Sequence, residues 1–396
     1  MALRDLFRRR TNDQATDGGA PARKSSATGP VVAYHSSGRV VWSARDTVSL
    51  TKTGYCGNPV GFRVVKLISE AAAAVPLILQ DRDTRYSDHP VLRLIQSPNA
   101  AQTQADFFES LYGQLILSGN AYVEGVANDT GIAELHVLRS DRMALVPGAD
   151  GWPVAYDYTV GGRKHRFNMG GDFDPICHIR NFHPQDDHYG FSPLQAAAQA
   201  LDVHNAATQW SKALLDNAAR PSGAIVHNAD DSLTQEQFDR LQFELESYHQ
   251  GARNAGRPML LEGGLDWKPM GFSPSDMEFQ KTKEAAARDI AIAFGVPPML
   301  LGIPGDATYA NYQEANRAFF RLTVLPLVRR VGAHLAQWLG DDAMLGLVPD
   351  LDQIPALSAE RDAHWSRVAA SDFLTDAEKR HLLGLPTLDG GLDAGH

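Results

Sequence analysis

Apolar residues recur at helical spacing in several long stretches of the chain, and these stretches predict its framework. Asn58 followed by Pro59 is typical of a helix start, and the apolar period after it continues until Pro76. A short strand, LILQ, is predicted next. Thr103 predicts the N-cap of a second helix, which Gly119 ends.

Between about residues 120 and 182 the period changes from helical to alternating. Short runs of alternating apolar and polar residues are separated by NDTG, PGADGWP, VGGRKH and NMGGDFDP. Such Gly-, Asn- and Pro-containing segments are typical of hairpin turns. The pattern therefore predicts a β-rich region.

Two further long helices flank a compact insertion. Ser192, Pro193 and Gln195 predict a capped helix of roughly twenty-five residues without a breaker, and SPSDMEFQKTKEAAARDIAIAFG predicts another. Between them the pattern predicts a strand (GAIVHN), a helix capped by Thr234, and two more strands (RPMLLEG and LDWKPMG). This order predicts a small α/β unit inserted between two helices.

The stretch FGVPPMLLGIPGDATYANYQEA, residues 294–315, interrupts the helical pattern with three prolines and three glycines. It predicts a helix end, a turn set by Gly302, Pro304 and Gly305, and a new helix capped by Asn311. The following helix contains Pro326, which we expect to kink it rather than end it, because the apolar period resumes beyond it. The later stretch LTDAEKRHLLGLP predicts one further helix in the C-terminal part.

Composition indicates a soluble globular chain, since 43% of its residues are apolar and no run of eighteen apolar residues occurs. The formal charge of -10 argues against a broad basic surface that wraps nucleic acid. Residues 341–396 carry eleven acidic and four basic side chains, whereas residues 1–28 carry six basic and three acidic ones. The N-terminal segment is therefore predicted to be a basic arm. Cys56 and Cys177 match no metal spacing, which favours a reducing compartment.

Catalytic motifs are sparse for a chain of this length. No P-loop and no GxGxxG segment opens a helix, so no nucleotide cofactor is expected. The segment HPQDDH holds possible metal ligands at His183, Asp186, Asp187 and His188, but their spacing fits no standard site. A metal-dependent nucleic-acid hydrolase built on these four residues stays open as an alternative, although we expect neither a metal nor an enzyme.

The order of elements, with SPNAAQTQADFFESLYGQLILSGNAYVEG, YGFSPLQAAAQAL, RDIAIAFGVPPMLLG and YANYQEANRAFFRLTVLPL, resembles the portal proteins of tailed phages with long non-contractile tails. Gene transfer agents carry a similar portal. The resemblance covers roughly residues 55–385. It implies an α+β fold with a wing, a two-helix stem, a small clip, a long kinked helix and a short helical crown. Another structural capsid or tail subunit remains an alternative, although such proteins tend to be dominated by β-structure.

The resemblance also implies how the chain is divided. The predicted parts are a flexible basic arm (1–29), the wing (30–190, β-rich at 120–182), the first stem helix (191–219), the clip (220–273), the second stem helix (274–295), a tunnel loop (296–311), a kinked wing helix (312–340) and an acidic crown with the C-terminal tail (341–396). In a ring, Met299, Leu300 and Leu301 are expected to pack against neighbouring copies.

The function implied is a dodecameric ring at one capsid vertex, through which double-stranded DNA is packaged and ejected. The expected partners are the large terminase subunit, a tail adaptor and the major capsid protein, with no membrane. The DNA-channel loop is predicted at Gly302, Ile303, Pro304, Gly305, Asp306, Ala307, Thr308 and Tyr309. Possible phosphate contacts are Lys281, Lys283 and Arg288, and the clip docking surface is predicted at Thr234, Glu236, Asp239, Arg240 and Glu244.

Overall fold

A computed structural model describes residues 42–385, apart from 82–83, 129–130, 172, 217–222, 228–233, 238, 241–242, 244–264, 270–278, 304–307 and 341–343. The predicted arm 1–29, the strand RPMLLEG and the end of the C-terminal tail lie outside the described residues. So do Glu244 of the predicted docking surface and, within the predicted channel loop, Pro304, Gly305, Asp306 and Ala307.

The helices begin largely where the sequence places their caps. They are α1 (Thr47–Leu50, continued by a π-helical turn at Thr51–Cys56), α2 (Pro59–Ala73), α3 (Pro90–Gln96), α4 (Gln104–Ser118), α5 (Pro193–Ala196), α6 (Ala198–Asp216), α7 (Phe279–Ala293), α8 (Tyr309–Phe319), α9 (Leu325–Leu339), α10 (Ser358–Ala369) and α11 (Asp376–Leu382). The side chain of Asn58 accepts the N–H groups of Val60 and Gly61, both at 3.0 Å. Ser192 forms the predicted reciprocal capping box with Gln195, and Thr103, predicted only as an N-cap, forms one with Asp106.

The strands form antiparallel pairs. They are β1 (Leu77–Gln80), β2 (Arg85–Tyr86), β3 (Asn120–Asn128), β4 (Gly131–Leu138), β5 (Met143–Pro147), β6 (Pro153–Val160), β7 (Arg163–Asn168), β8 (Ile176–Arg180), β9 (Gly223–His227), β10 (Leu265–Pro269) and β11 (Gly346–Pro349). Strands β4-β3-β8 form one three-stranded sheet and β5-β6-β7 another, which confirms the predicted β-rich region. Strands β9 and β10 pair with each other, from Gly223 opposite Pro269 to His227 opposite Leu265.

The main core lies where α2, α4 and α9 meet the sheet of β3, β4 and β8. Each helix contributes an apolar stripe at intervals of three and four, which the sequence period predicts. Burying each of these side chains stabilises the fold by about 1.5–3 kcal/mol. The stripes consist of Val64, Val65 and Ile68 on α2, Phe108, Leu111 and Leu115 on α4, and Val328, Val331 and Leu335 on α9.

The long helix after the interruption is continuous through Pro326, as predicted, but it is not uniform. A π-helical turn at Phe320–Val324 joins α8 to α9. Pro326 lies in the first turn of α9, where its missing N–H removes little hydrogen bonding. The distortion of the helical ladder therefore falls just before the proline, in the wider turn.

The C-terminal segment departs from the sequence expectation in two ways. Strand β11 pairs antiparallel with β1, so the segment predicted as crown begins by joining a sheet of the predicted wing. Asp350, directly after β11, accepts a 2.7 Å hydrogen bond from Arg85 beside it on β2. The expectation of only one further helix was wrong, because α10 precedes the predicted α11. Helix α10 has no side-chain cap and a weakly apolar pattern, so it lacked the signals used to predict helices.

The two predicted stem helices pack against each other. The ring of Trp210 on α6 stacks on Phe279 at the start of α7, with centroids 3.7 Å apart. The first stem helix is not continuous, since a turn at Ala197 separates α5 from α6. The close stacking fixes the register between α6 and α7 at the end nearest the insertion.

A polar junction centred on Asn120 connects the sheet of β3, β4 and β8 to the segment that leads into α5. The Asn120 side-chain oxygen accepts the N–H of Gly190 at 2.8 Å and the Nε2–H of His178 at 3.0 Å. The imidazole of His178 also stacks on Tyr122, with centroids 4.3 Å apart. Burial lowers the pKa of His178 to about 3. The junction is thus built around a neutral histidine.

Candidate functional site

The described residues 294–303 of the interruption between α7 and α8 contain two glycine-terminated turns in succession. At the end of α7, Gly295 has a φ of 68°, its N–H donates to the carbonyl of Ile292, and that of Val296 donates to Ala291. After a short 3₁₀ turn at Pro298–Leu301, Gly302 has a φ of 72° and the same pair of hydrogen bonds recurs. Both are Schellman turns, which satisfy the last carbonyls of a helix. Residues 294–303 therefore form two successive helix ends, which we call the double stop.

The first of these turns is attached to the long helix. The hydroxyl of Thr323, in the π-helical turn, donates to the Gly295 carbonyl at 2.6 Å. The side chain of Val296 is buried, whereas Leu300 and Leu301 are half-buried against the core of their own chain. Leu300 and Leu301 can therefore offer only part of their surface to neighbouring copies, because the rest is already covered.

We expect Gly295→Ala to lower the free energy of unfolding by about 2 kcal/mol. The left-handed backbone costs an L-residue about 1–2 kcal/mol, and the new methyl group would lie 2.9 Å from the Thr323 hydroxyl, disturbing its hydrogen bond. Thermal melting of the purified protein measures the effect. Gly302→Ala is the matched control, because its φ is similar but nothing lies within 4 Å of the added carbon. Equal losses for the two variants would contradict a role for the Thr323 contact.

The described part of the predicted channel loop is largely open to solvent. Gly302 is exposed and Ile303 is half-buried, while Thr308 caps α8 by accepting the N–H of Asn311 at 3.2 Å. The prediction that Asn311 is the cap was wrong, because the helix begins earlier, at Tyr309. Tyr309 is 79% exposed and thus projects from the first turn of α8.

The three candidate phosphate contacts do not form one patch. Lys281 and Arg288 are seven residues apart on α7 and share a face, whereas Lys283 lies on another. Lys283 is half-buried. The pKa of His204 on α6 is lowered first by the burial of His204 and second by the positive charge of Lys283. Lys283 therefore faces the neighbouring helix α6.

The described residues of the predicted clip surface are exposed. Thr234 accepts the N–H of Gln237 at 3.3 Å and its own N–H donates to the Gln237 side chain, which confirms the predicted cap. Asp239 accepts a hydrogen bond from Gln235 at 2.9 Å, and Glu236 and Arg240 are exposed. These side chains are accessible to a partner.

Two of the four candidate metal ligands, His183 and Asp186, have local structural roles. The Asp186 carboxylate accepts the N–H groups of His188 and Tyr189 at 2.8 and 2.9 Å, which lowers its pKa. The ring of His183 accepts the N–H of Gln185. Within the described part of the chain, no three His, Cys, Asp or Glu side chains are grouped as metal ligands would be. Nuclease activity that is sensitive to a chelator and lost in Asp186→Ala would support the hydrolase alternative.

A groove that the sequence analysis missed opens beside the double stop. It has a volume of about 600 Å³ and lies between the end of α7, the π-helical turn and the start of α9. Its rim carries Ile292 and Leu322, which are 69% and 70% exposed, and Arg330 lies at its polar end. Leucine and isoleucine on helices are usually interpreted as core residues, so the positions of Ile292 and Leu322 in the sequence did not indicate that they are exposed.

Residues 59–384 of the chain match the family described as phage portal protein. An uncharacterised protein of Rickettsia bellii is 38% identical over 344 residues, covering 85% of this chain and 89% of its own length. The portal protein of Enterobacteria phage HK97 is 26% identical over 344 residues, covering 83% of this chain and 79% of its own length.

Solved structures are also similar. A chain in the neck of an empty gene transfer agent (GTA) particle, treated with C6 symmetry, is 70% identical with a TM-score of 0.70, covering 89% of this chain and 96% of that one. A chain in the neck of a native GTA particle, treated with C12 symmetry, is 68% identical with a TM-score of 0.68, covering 89% of this chain and 97% of that one. An HK97-family portal protein from Corynebacterium diphtheriae shares the fold at 17% identity, with a TM-score of 0.58 over 80% of this chain and 100% of that one. No described helix is both long and apolar enough to cross a bilayer.

Proposed function

Since this chain belongs to the phage portal protein family, we propose that its ring forms the channel for double-stranded DNA at one vertex of a GTA-type particle. It is a portal protein of the virion, and it acts as part of a multimeric ring. The observation that carries the proposal is the 70% identity to a chain in the neck of a GTA particle. A copy number of twelve agrees with the C12 symmetry of the related neck.

We assign each part of the chain a role in that ring. The wing comprises residues from about 30 to 190 together with β11, because β11 pairs with β1. Helices α5 to α7 form the stem, and the pair β9 and β10 belongs to the clip. The segment after β11 forms a short crown that contains α10 and α11. Each of these helices carries two acidic and two basic side chains, so the acidic excess of the segment lies outside them, and this excess would repel packed DNA and so keep it from adhering.

The proposed mechanism is passive conduction, with no bond made or broken by this chain. The portal family is structural, and the net charge of -10 suits a channel in which DNA must slide. Each added phosphate contact would strengthen binding and its dependence on salt. Nucleotide hydrolysis would be supplied by a terminase motor, whose large subunit we place on the exposed clip surface during filling.

Two further partners complete the proposal. A tail adaptor would replace terminase on the clip after filling, and the major capsid protein would surround the wing. Glu236, Asp239 and Arg240 are exposed side chains of both signs, which favour an electrostatically matched and exchangeable contact.

Native mass measurement and negative-stain microscopy of the purified chain test the ring itself. We expect a closed assembly of about twelve copies with a central hole, since heterologous contacts close into rings when the rotation allows it. A monomer that persists at every concentration and salt condition would contradict the proposal.

The channel loop is tested by truncating Tyr309, a described side chain of the loop that is 79% exposed. We expect Tyr309→Ala to leave the ring intact but to lower the amount of DNA retained per particle severalfold, because base or sugar contact at a constriction resists backward sliding. DNA per particle is measured after nuclease treatment. Tyr312→Ala, one turn later on α8 and 51% exposed, is the matched control. Unchanged DNA content in Tyr309→Ala would show that the constriction lies elsewhere.

A further inference from the structure

The groove beside the double stop has an apolar rim that the chain leaves open. Ile292 lies in the last turn of α7, Leu322 lies in the π-helical turn, and both are about seven-tenths exposed. Pro326 extends the same exposed surface, and Ile68, Leu115 and Phe294 line the interior. Large exposed apolar side chains grouped around a groove mark a contact site more often than a solvated surface.

The polar end of the groove carries positive charge without a carboxylate partner. The Arg330 guanidinium donates to the Asn181 side chain at 2.7 Å, while its Nε is buried with no hydrogen bond. Arg180, next to Asn181, donates to the backbone carbonyl of Asp187. Among the described residues neither arginine forms an ion pair, whereas most other arginines of the wing do. This end of the groove is therefore suited to an acidic group.

Cyclic symmetry indicates which molecule supplies the acidic group at the Arg330 end of the groove. In a ring each contact is heterologous, so every copy must present two different and complementary surfaces. A groove with an apolar rim and a cationic end suits one of them, and a chain with a net charge of -10 offers carboxylates for the other. An apolar rim does not suit DNA phosphates, which bind through cations and amide groups.

We propose that this groove, bounded by Ile292, Leu322 and Arg330, is one half of the contact between neighbouring copies in the ring. It accepts an apolar side chain against the rim and a carboxylate at Arg330 from the next copy. The inference rests on the proposed function, because it requires the ring. The inference adds to the proposed function the residues with which one copy binds its neighbour.

Site-specific photo-crosslinking identifies the occupant. A benzophenone amino acid at position 322, in rings that contain only this chain, is expected to yield cross-linked dimers and higher oligomers on a denaturing gel after irradiation. The same amino acid at Leu382 on α11, which is 52% exposed and does not line the groove, is the matched control. Rings that yield no cross-links between copies from position 322 would overturn the proposal.

Charge placed on the rim tests the same contact without a probe. Because Leu322 is exposed, Leu322→Glu should fold normally by circular dichroism and yet need at least about tenfold more protein for half-assembly of the ring. Leu382→Glu should assemble as the wild type does. Arg330→Met should likewise weaken assembly, whereas Arg329→Met should not, because Arg329 is exposed and lies outside this groove.

The outcomes separate this inference from the proposed function. If the wild type forms no ring, the proposed function fails and the inference with it. If the wild type forms rings and Leu322→Glu forms them equally well, only the inference fails. Intact rings of Leu322→Glu that retain less DNA would also overturn it, since they would assign the groove to DNA or to another neck protein.

Discussion

Replacing Gly190 by alanine is expected to lower the free energy of unfolding by about 3 kcal/mol or more. The added carbon would overlap the carbonyl oxygen of Gly119 and lie 2.7 Å from the backbone nitrogen of Asn181. Both obstacles are backbone atoms, which cannot move aside as a flexible side chain can. The Gly119 carbonyl is itself held, since it accepts the Asn181 N–H at 2.8 Å. Overpacking of this kind costs about 1–3 kcal/mol, and the rigid surroundings favour the upper end.

The effect of Gly190→Ala is measurable by thermal melting of the purified protein. At roughly 1 °C per kcal/mol for a chain of 396 residues, a fall in Tm of about 3–5 °C is expected. Gly113→Ala provides the opposite control, because Gly113 lies within α4 and nothing lies within 4 Å of the added carbon. Alanine there should stabilise the helix by about 0.5–1 kcal/mol. A melting temperature for Gly190→Ala close to that of the wild type would show that the backbone segments around Gly119 and Gly190 can move apart without loss of stability.

Acidification from pH 7 to pH 5 is expected to destabilise the protein by about 2 kcal/mol through His178 alone. Burial lowers the folded-state pKa of His178 to about 3, whereas an unfolded histidine titrates near its usual value of 6.5. Between these two values the unfolded chain binds the proton and the folded chain does not. The stabilisation is therefore complete above pH 6.5 and is lost progressively as the pH falls towards 3. Carboxylates with lowered pKa values, such as Asp186, respond only at more acidic pH.

The geometry explains why His178 stays neutral. Its Nε2–H donates to Asn120, and the tautomer with a bare Nδ1 allows the Tyr156 hydroxyl to donate at 3.3 Å. A second proton would enter a site that is largely removed from water, with the Arg180 charge nearby. Burial also lowers the pKa values of His204 and His334, so these two residues add to the loss of stability on acidification.

His178→Gln separates this residue from the other two. The amide keeps a donor and an acceptor but takes up no proton in this range, so the fall in stability between pH 7 and pH 5 should shrink by about 2 kcal/mol. Melting temperatures of the wild type and the variant across pH 5–7 measure the difference. Parallel pH profiles would contradict a buried neutral histidine at this junction.

Features set by near neighbours in the chain were predictable. The caps at Asn58, Thr103 and Ser192 depend on a side chain reaching backbone groups two or three residues ahead, so the residue types sufficed. The buried faces of α2, α4 and α9 follow from the apolar period, and the alternation at residues 120–182 follows from strand geometry. The family resemblance rested on the order of these local features, and the family match over residues 59–384 confirms it.

Contacts between distant parts of the chain were decided by the tertiary structure alone. Nothing near β11 indicates that it pairs with β1, and no pattern brings Gly119 against Gly190. The groove illustrates the physical reason most directly. The π-helical turn at Phe320–Val324 changes the phase of the long helix, so Leu322 falls off the buried face and becomes exposed. A uniform period of 3.6 residues does not contain that shift. Local sequence patterns were therefore sufficient for most of the elements and for the family, whereas packing determined which apolar side chains stayed exposed.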